Sequence, residues 1–384
     1  VKILYTAAHG GFAAESVPLG GGAAVFEMLR TAWPDVGPIV PSAVTGRELV
    51  SFSAWEYAAF CRRFEAESTA AVLRNEAKDC VVLVNDISEG PDFARLAAAG
   101  YRVFVIFHVD VVAYVAAIYG RGWVAPERLV RWHERWERFC PDVLQLVFQK
   151  QRDCVRHATA CLVPSPAMRE VIHRCYGPQV RVEVLPWGTP SSVYTSARGP
   201  AEKKLTLLTL SRISPEKNQH VLLEALLAWE QQGLLPSMRL RICGQPAFMQ
   251  GQAYFEKLKA LADQLRQVEV EFPGHVTGQA KADQFAEADL YVFPSSHESY
   301  GLTLMEAFAA GLPALTLDHA GARGVMRAEF GRMASADGFL PALQELTRDR
   351  ARLREMGRAA QAYALAHPFS TTAERLRALL LGGE

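Results

Sequence analysis

A chain of 384 residues, 50% apolar and 21% charged, is too long for one ordinary core, and its length and composition predict two soluble globular domains. Lys+Arg and Asp+Glu balance at 41 each, and the balance holds within each half: 20 against 20 through Gly188, 21 against 21 after it. That argues against a basic face and a nucleic-acid partner. The seven cysteines are scattered without a C-x-x-C pair, which favours reduced thiols over a disulfide framework or a zinc site.

Taken in chain order, strand-like runs alternate with helical patterns, the sign of βαβ units and parallel sheets. Val1-Lys2-Ile3-Leu4-Tyr5 reads as a first strand with no signal-peptide pattern ahead of it. Strands are predicted at 2–5, 80–85, 102–107, 160–163 and 182–185, with helices near 23–33, 55–75, 127–139 and 142–157. The longest apolar stretch, 103–118, holds His108 and Asp110 and is shorter than the roughly 20 residues that span a bilayer. It reads as a buried strand followed by a helix. Residues 186–200 are rich in Pro, Gly, Ser and Thr without periodicity, which marks a domain boundary. A new alternation follows, with strands at 205–210, 239–243, 268–271, 290–293 and 314–317, a helix over 281–288 and a last helix over 371–381 after Pro368. The expected organisation is a first domain over 1–188, a linker over 189–204, a second domain over 205–367 and a C-terminal helix over 368–384 that packs back on the first domain. Two doubly wound domains facing each other would place a cleft at the carboxyl ends of both sheets, where ligands bind.

Several constellations carry chemistry. In the first domain, Pro18-Leu19-Gly20-Gly21-Gly22-Ala23 precedes a helix, and consecutive glycines let backbone approach a phosphate. The run is not a dinucleotide fingerprint, because position 25 is Val25 and the glycines lie well past the first strand. His108 ends the second long strand, and His9 follows the first, in Ala8-His9-Gly10-Gly11. A lone histidine near a core strand is commonly structural, but the end of a strand at a cleft is a catalytic position.

The second domain opens Leu210-Ser211-Arg212-Ile213-Ser214-Pro215-Glu216-Lys217-Asn218, with Lys217 expected at the start of a helix and Pro215 near its first position. Cations are disfavoured at a helix N-terminus unless an anion neutralises them. A diphosphate would do so: Arg212 can grip its oxygens bidentately and Lys217 supplies a point charge.

Between Phe293 and Gly311 the chain reads FPSSHESYGLTLMEAFAAG. A strand, a loop and a helix opening after Gly301 make an anion site of free backbone N–H groups. Glu298 and Glu306 stand eight positions apart around it. Carboxylates are wasted on phosphate but suit sugar hydroxyls. An E-x7-E spacing alone occurs by chance in many helices; here Phe272-Pro273-Gly274-His275-Val276 precedes it, and Ala310-Gly311-Leu312-Pro313-Ala314 and Asp318-His319-Ala320-Gly321 follow.

The run from Glu271 to Gly321, with the R-x4-K of Arg212 and Lys217, resembles the nucleotide-sugar half of the GT-B glycosyltransferases, in particular the retaining family 4 enzymes. The resemblance covers nearly all of the second domain. In the first it is patchy: Gly21-Gly22, His108, Val163-Pro164-Ser165 and Leu185-Pro186-Trp187-Gly188. It implies an α/β GT-B fold and transfer of a sugar from a nucleoside diphosphate donor to an acceptor hydroxyl with retention, in carbohydrate biosynthesis. Arg212 and Lys217 would hold the diphosphate, Glu298 the sugar and Glu306 the ribose. Ser211 and the backbone of Tyr300, Gly301 and Leu302 would hold sugar and phosphate oxygens. Val276 would meet the nucleobase, Gly21 and Gly22 the donor, and His108 would lie beside the sugar. Glu298, His108, Arg212 and Lys217 form the implied catalytic set. His9 is the alternative base of an inverting mechanism. The family's histidine is commonly followed by Asp; here Val109 intervenes before Asp110. Where the family has Pro-Glu after Gly321, this chain has Arg323-Gly324.

No cofactor or metal is expected beyond the co-substrate, a UDP-sugar first and a GDP- or ADP-sugar next. The acceptor, a saccharide, lipid-linked or small molecule, is not legible, nor is the oligomeric state. The expected setting is cytoplasmic, with at most peripheral contact at the inner membrane face. The segment 119–157, with Trp123, Trp132 and Trp136 among arginines, reads as core plus solvated face unless it shapes the acceptor site or touches a membrane. A sugar-nucleotide epimerase or hydrolase of the same fold, or a non-catalytic binding subunit, are the competing readings; retention of Arg212, Lys217, Glu298 and Glu306 argues against the last.

Overall fold

The computed structural model describes residues 1–11, 20–42, 52–118, 124–190, 204–247 and 250–382. Two compact units emerge: Val1–Trp187 with Ser370–Glu384, and Gly188–Phe369. The first unit runs β1 (Lys2–Thr6), α1 (Gly21–Ala32), β2 (Pro38–Ile39), α2 (Ala54–Val72), β3 (Cys80–Val84), α3 (Phe93–Ala98), β4 (Arg102–Ile106), α4 (Val111–Ile118), α5 (Pro126–Trp136), α6 (Asp142–His157), β5 (Ala160–Val163), α7 (Pro166–Tyr176) and β6 (Val182–Val184). Its sheet has the order β2-β1-β3-β4-β5-β6, every pair parallel. Local chemistry sets the boundaries. Ser53 and Glu56 close a capping box on α2. Ser165 caps α7 ahead of Pro166, and Gly177 ends it at φ 97°. The apolar stretch 103–118 divides as expected, into β4 and α4. Strand β3 reads CVVLV with every residue buried, the unbroken apolar run of a strand covered on both faces.

The second unit runs β7 (Leu205–Leu210), α8 (Gln219–Gln231), β8 (Met238–Cys243), α9 (Gly251–Ala262), β9 (Val268–Gly274), α10 (Gly278–Glu287), β10 (Leu290–Phe293), α11 (Leu302–Ala309), β11 (Ala314–Leu317), α12 (Ala320–Val325), β12 (Gly331–Ala334), α13 (Phe339–Thr347) and α14 (Arg350–Ala366). Its parallel sheet has the order β12-β11-β10-β7-β8-β9. Leu207, Leu240, Ile242, Val292 and Leu315 from four strands meet Leu222, Leu223 and Leu226 of α8 and Leu258 of α9 in one core. Truncating any of these leucines to alanine would cost about 2–5 kcal/mol. Both sheets are doubly wound, so the expected α/β architecture is present. The last helix, α15 (Phe369–Leu381), lies almost wholly within the first unit's residues; there Arg377 is ion-paired with Asp35 and Arg102 donates to the Leu380 carbonyl.

Two strands escaped the sequence reading. β2 is two residues long, and β12 (GRMA) carries too little apolar alternation to register. One expectation needs correction: Lys217 is not in the first turn of a long helix. Pro215–Lys217 is a single 3-10 turn, and α8 starts only after Asn218, held in the left-handed region at φ 51°. Proline and asparagine here build a corner, not a continuous helix start.

Candidate active site

In each sheet the strand order reverses once, between β10 and β7 in the second unit and between β1 and β3 in the first. Ligands of open α/β sheets bind outside the strand carboxyl ends at that reversal. Arg212, Lys217 and Glu298 follow β7 and β10 at the reversal of the second unit, and His9 follows β1 at that of the first.

In the second unit, β7 delivers Ser211 and Arg212, and β10 delivers the loop to α11. The two connections are stitched together: Ser296 N donates to the Glu216 carbonyl at 3.2 Å, and the Ser295 and Ser296 hydroxyls reach the same oxygen at 3.3 Å. Gln219, fully buried, donates from Nε2 to Ser211 Oγ at 2.9 Å and to the Arg212 carbonyl at 2.8 Å, which fixes the turn. Gly244 at the end of β8 is obligatory: it sits at φ 146°, and a Cβ there would lie 1.8 Å from the Ser211 carbonyl.

The cations and carboxylates are brought together. Lys217 Nζ lies 2.5 Å from Glu298 Oε1, both largely buried, and Arg212 lies 3.8 Å from Glu216 Oε1. Burial opposes the charged form of Glu298, but Lys217, with His319 and the Ser295 hydroxyl adding to it, holds the carboxyl below the usual range. Glu306, on α11, is held at 2.7 Å by Lys281 of α10; its other oxygen, Oε2, is buried with no hydrogen-bond partner among the described residues. An orphaned carboxylate oxygen in a native fold calls for an explanation, and a ligand hydroxyl is one. Gly301 caps α11 at φ 91° without a side-chain cap, so the first N–H groups of that helix stay available to an anion. Tyr300 is buried, and its hydroxyl accepts from Gly188 N at 2.9 Å; its side chain is structural, leaving only its backbone for a ligand. Leu302 starts α11, and Val276 is half-buried beyond β9.

His319 was quoted in the sequence pattern but given no role. It caps α12, accepting from Ala322 N at 3.2 Å, and burial pushes its pKa down to about 4 although Glu298 is close by. Gly321 lets this helix lie against Glu298: a Cβ there would meet the Glu298 carbonyl at 2.7 Å. Arg323, at the departure from the family pattern, is exposed and paired with Asp318 at 2.7 Å.

In the first unit, His9 Nδ1 lies 3.0 Å from Asp86 Oδ1, across the β1–β3 reversal. Asp86 Oδ2 accepts from Ala8 N at 3.2 Å and Oδ1 from Asn85 Nδ2 at 3.0 Å. His108 closes the group: burial pushes it down to about 4, and its Nε2 is buried with no hydrogen-bond partner among the described residues. Gly22 packs against it, a Cβ there falling 3.2 Å from the ring, and Gly21 opens α1. Positions 18 and 19 of the glycine loop lie outside the described residues. Asp110 is structural: its Oδ1 accepts from Ala113 N and Gln151 Nε2, capping α4. The sequence reading missed Asp86 and Glu89. Burial raises the pKa of Glu89, and Tyr57 donates to it at 2.7 Å; at Asp86 burial is opposed by His9, His108 and Asn85, which together hold the pKa below the usual range. Two acids directly after the all-apolar strand β3 were the available signal. Lys281 gave none, being one exposed-looking cation in a polar helix. Among the described residues no cluster of three or more His, Cys, Asp or Glu is arranged to hold a metal.

With its two parallel sheets, this is a GT-B chain, and the comparisons agree. HepE of Anabaena, solved with UDP-glucose, superposes with a TM-score of 0.70 over 99% of both chains at 16% identity. Residues 194–363 match the family described as Glycosyl transferases group 1. A GDP-mannose-dependent alpha-(1-6)-phosphatidylinositol monomannoside mannosyltransferase of Mycobacterium tuberculosis is 29% identical over 232 residues, 54% of this chain and 58% of that one. A D-inositol 3-phosphate glycosyltransferase of Pseudarthrobacter chlorophenolicus is 30% identical over 206 residues, 50% of this chain and 48% of that one. The matches thus span under two thirds of these relatives' length.

Proposed function

We propose that the chain transfers a sugar from a nucleoside diphosphate donor to an acceptor hydroxyl with retention of configuration. The observation that carries this reading is the Arg212, Lys217, Glu298 and Glu306 constellation around the uncapped N-terminus of α11, inside the matched family region. On this reading Arg212, Lys217 and the α11 N–H groups take the charge that develops on the departing diphosphate, the preorganised stabilisation that transfer requires. The diphosphate oxygen takes the acceptor proton as the acceptor oxygen attacks from the same face, so no protein nucleophile is needed. Glu298 orients the sugar hydroxyls, Glu306 the ribose through its unpartnered Oε2, and Ser211, Tyr300, Gly301, Leu302 and Val276 contribute polar or backbone contacts. His108 with Gly21 and Gly22 belongs to the first unit, which takes the acceptor side. A relative depends on GDP-mannose and a structural neighbour was solved with UDP-glucose, so both bases are donor candidates. Free and mostly buried cysteines suit a reducing cytoplasm.

A second reading is favoured by the His9–Asp86 contact: a carboxylate-oriented histidine is the general base of an inverting transfer. The test is turnover of a UDP-, GDP- and ADP-sugar panel, with the anomeric configuration of the product read by NMR. Retained configuration supports the first reading; inversion that disappears in His9→Ala supports the second. Free sugar released equally with and without acceptor would mean a hydrolase.

A further inference from the structure

We propose that the outer face of α5 and the turn after it is a docking surface for an anionic lipid bilayer. The helix is amphipathic in an unusual sense. Its inner face is fixed: Val130 is buried in a cluster with Leu146, Val147 and Phe148, and His133, 3% exposed, stacks on the Phe148 ring at 4.4 Å. Its outer face should carry short polar residues if it only met water. Instead Trp132 is 53% exposed, Trp136 43% and Phe139 66%. The sequence favours core plus solvated face for this segment and leaves an acceptor-site or membrane role open; Trp132 and Trp136 are not core, for the helix buries its histidine and presents its indoles. Within α5, positions 128, 132 and 135 fall on one stripe, three and four residues apart, and Phe139 follows in the 3-10 turn after it. Arg128, Arg131, Arg135 and Arg138 are all exposed among the aromatics and make no ion pair with any described residue. Glu134 is the one exposed acid between positions 126 and 139; Glu137 is taken up by Arg152 at 3.2 Å.

Indole rings partition to the headgroup level of a bilayer, and arginine pairs with lipid phosphate while its stem lies along apolar surface. A fixed helix with aromatics and arginines on one face fits an interfacial helix lying parallel to the membrane. Among the described residues no helix is long and apolar enough to cross one, so the contact is peripheral. The cationic excess selects anionic headgroups over neutral ones. A soluble saccharide stacking on the indoles, or a second copy of this chain, would be the other occupants, but neither uses four arginines.

The test is co-sedimentation of the full chain with phosphatidylcholine vesicles containing phosphatidylglycerol, against pure phosphatidylcholine vesicles. Binding to the first, weakened by salt, is expected. Trp132→Ala with Trp136→Ala should cut it by about tenfold or more, and each arginine changed to glutamine by roughly fivefold. Circular dichroism and thermal melting of each variant report whether the fold persists, and Arg131→Gln, remote from the core, serves as the variant least able to disturb it. Equal binding to both vesicle types, or none to either, would overturn the proposal. So would a tryptophan-dependent dimer in sedimentation velocity, or saccharide binding lost in the tryptophan variant while vesicles stay unbound.

Discussion

Lys217 and Glu298 neutralise each other at 2.5 Å, although one is assigned to a diphosphate and the other to a sugar. A diphosphate reaching Lys217 therefore competes with Glu298 for the same ammonium. Glu298→Gln should free Lys217 and tighten bare nucleoside diphosphate by about tenfold, the worth of a largely buried charge-assisted contact of roughly 1.5 kcal/mol. The same change should weaken the nucleotide sugar and cut turnover strongly. Calorimetry with both ligands decides it; weaker binding of the bare nucleotide would show that the pair does not exchange.

Arg212→Ala should lower affinity for the bare nucleotide by about ten- to a hundred-fold, a charge-assisted contact being worth roughly 1.5–3 kcal/mol. Lys217→Ala should do the same and also destabilise the fold, since it strands the Glu298 carboxylate. The double variant Lys217→Ala, Glu298→Ala should regain the melting temperature without regaining binding. Recovery of both together would mark the pair as structural.

Glu306 should act on the nucleoside rather than the sugar. Glu306→Ala is expected to weaken the bare nucleotide and the nucleotide sugar by the same factor, on the order of 1–3 kcal/mol. Lys281→Met, which removes the partner of Oε1, should follow in the same direction. Losing affinity only for the nucleotide sugar would move Glu306 to the sugar subsite.

Because Arg212 and Lys217 supply positive charge where the diphosphate would sit, turnover is expected to persist in EDTA. Activity abolished by chelation and restored by magnesium or manganese would assign that charge to an ion instead.

Acid should destabilise the second unit through His319. Its folded pKa, about 4, lies below the ordinary 6.5, so the unfolded chain binds more protons between those values. The contribution is present in full above about pH 6.5 and is lost as pH falls toward 4, roughly 3 kcal/mol in all. Glu298, its pKa lowered, loses its contribution in the same direction but at lower pH. His319→Asn keeps an acceptor for Ala322 N and removes the titration. Denaturant unfolding at neutral pH and near pH 4.5 should show a smaller acid loss in that variant; an unchanged loss would place the titration elsewhere.

The sequence by itself determined the alternation of strands and helices, because unbroken runs such as CVVLV and LYVF have no other stable home than a covered parallel strand. It also singled out Arg212 and Lys217 as cations out of place without an anion, and Glu298 and Glu306 through the likeness of their run to a known family pattern. What it left open was partnership. Lys217 is 81 positions from Glu298, Lys281 is 25 from Glu306, and His9 is 77 from Asp86; such pairs form only when strand order is fixed. The register of β7 beside β10, and of β1 beside β3, is set by the pooled burial of many side chains and by no local signal. The same holds for exposure: a tryptophan and a histidine at helical spacing read alike as core, and only packing against Phe148 decided that His133 goes in and Trp132 stays out.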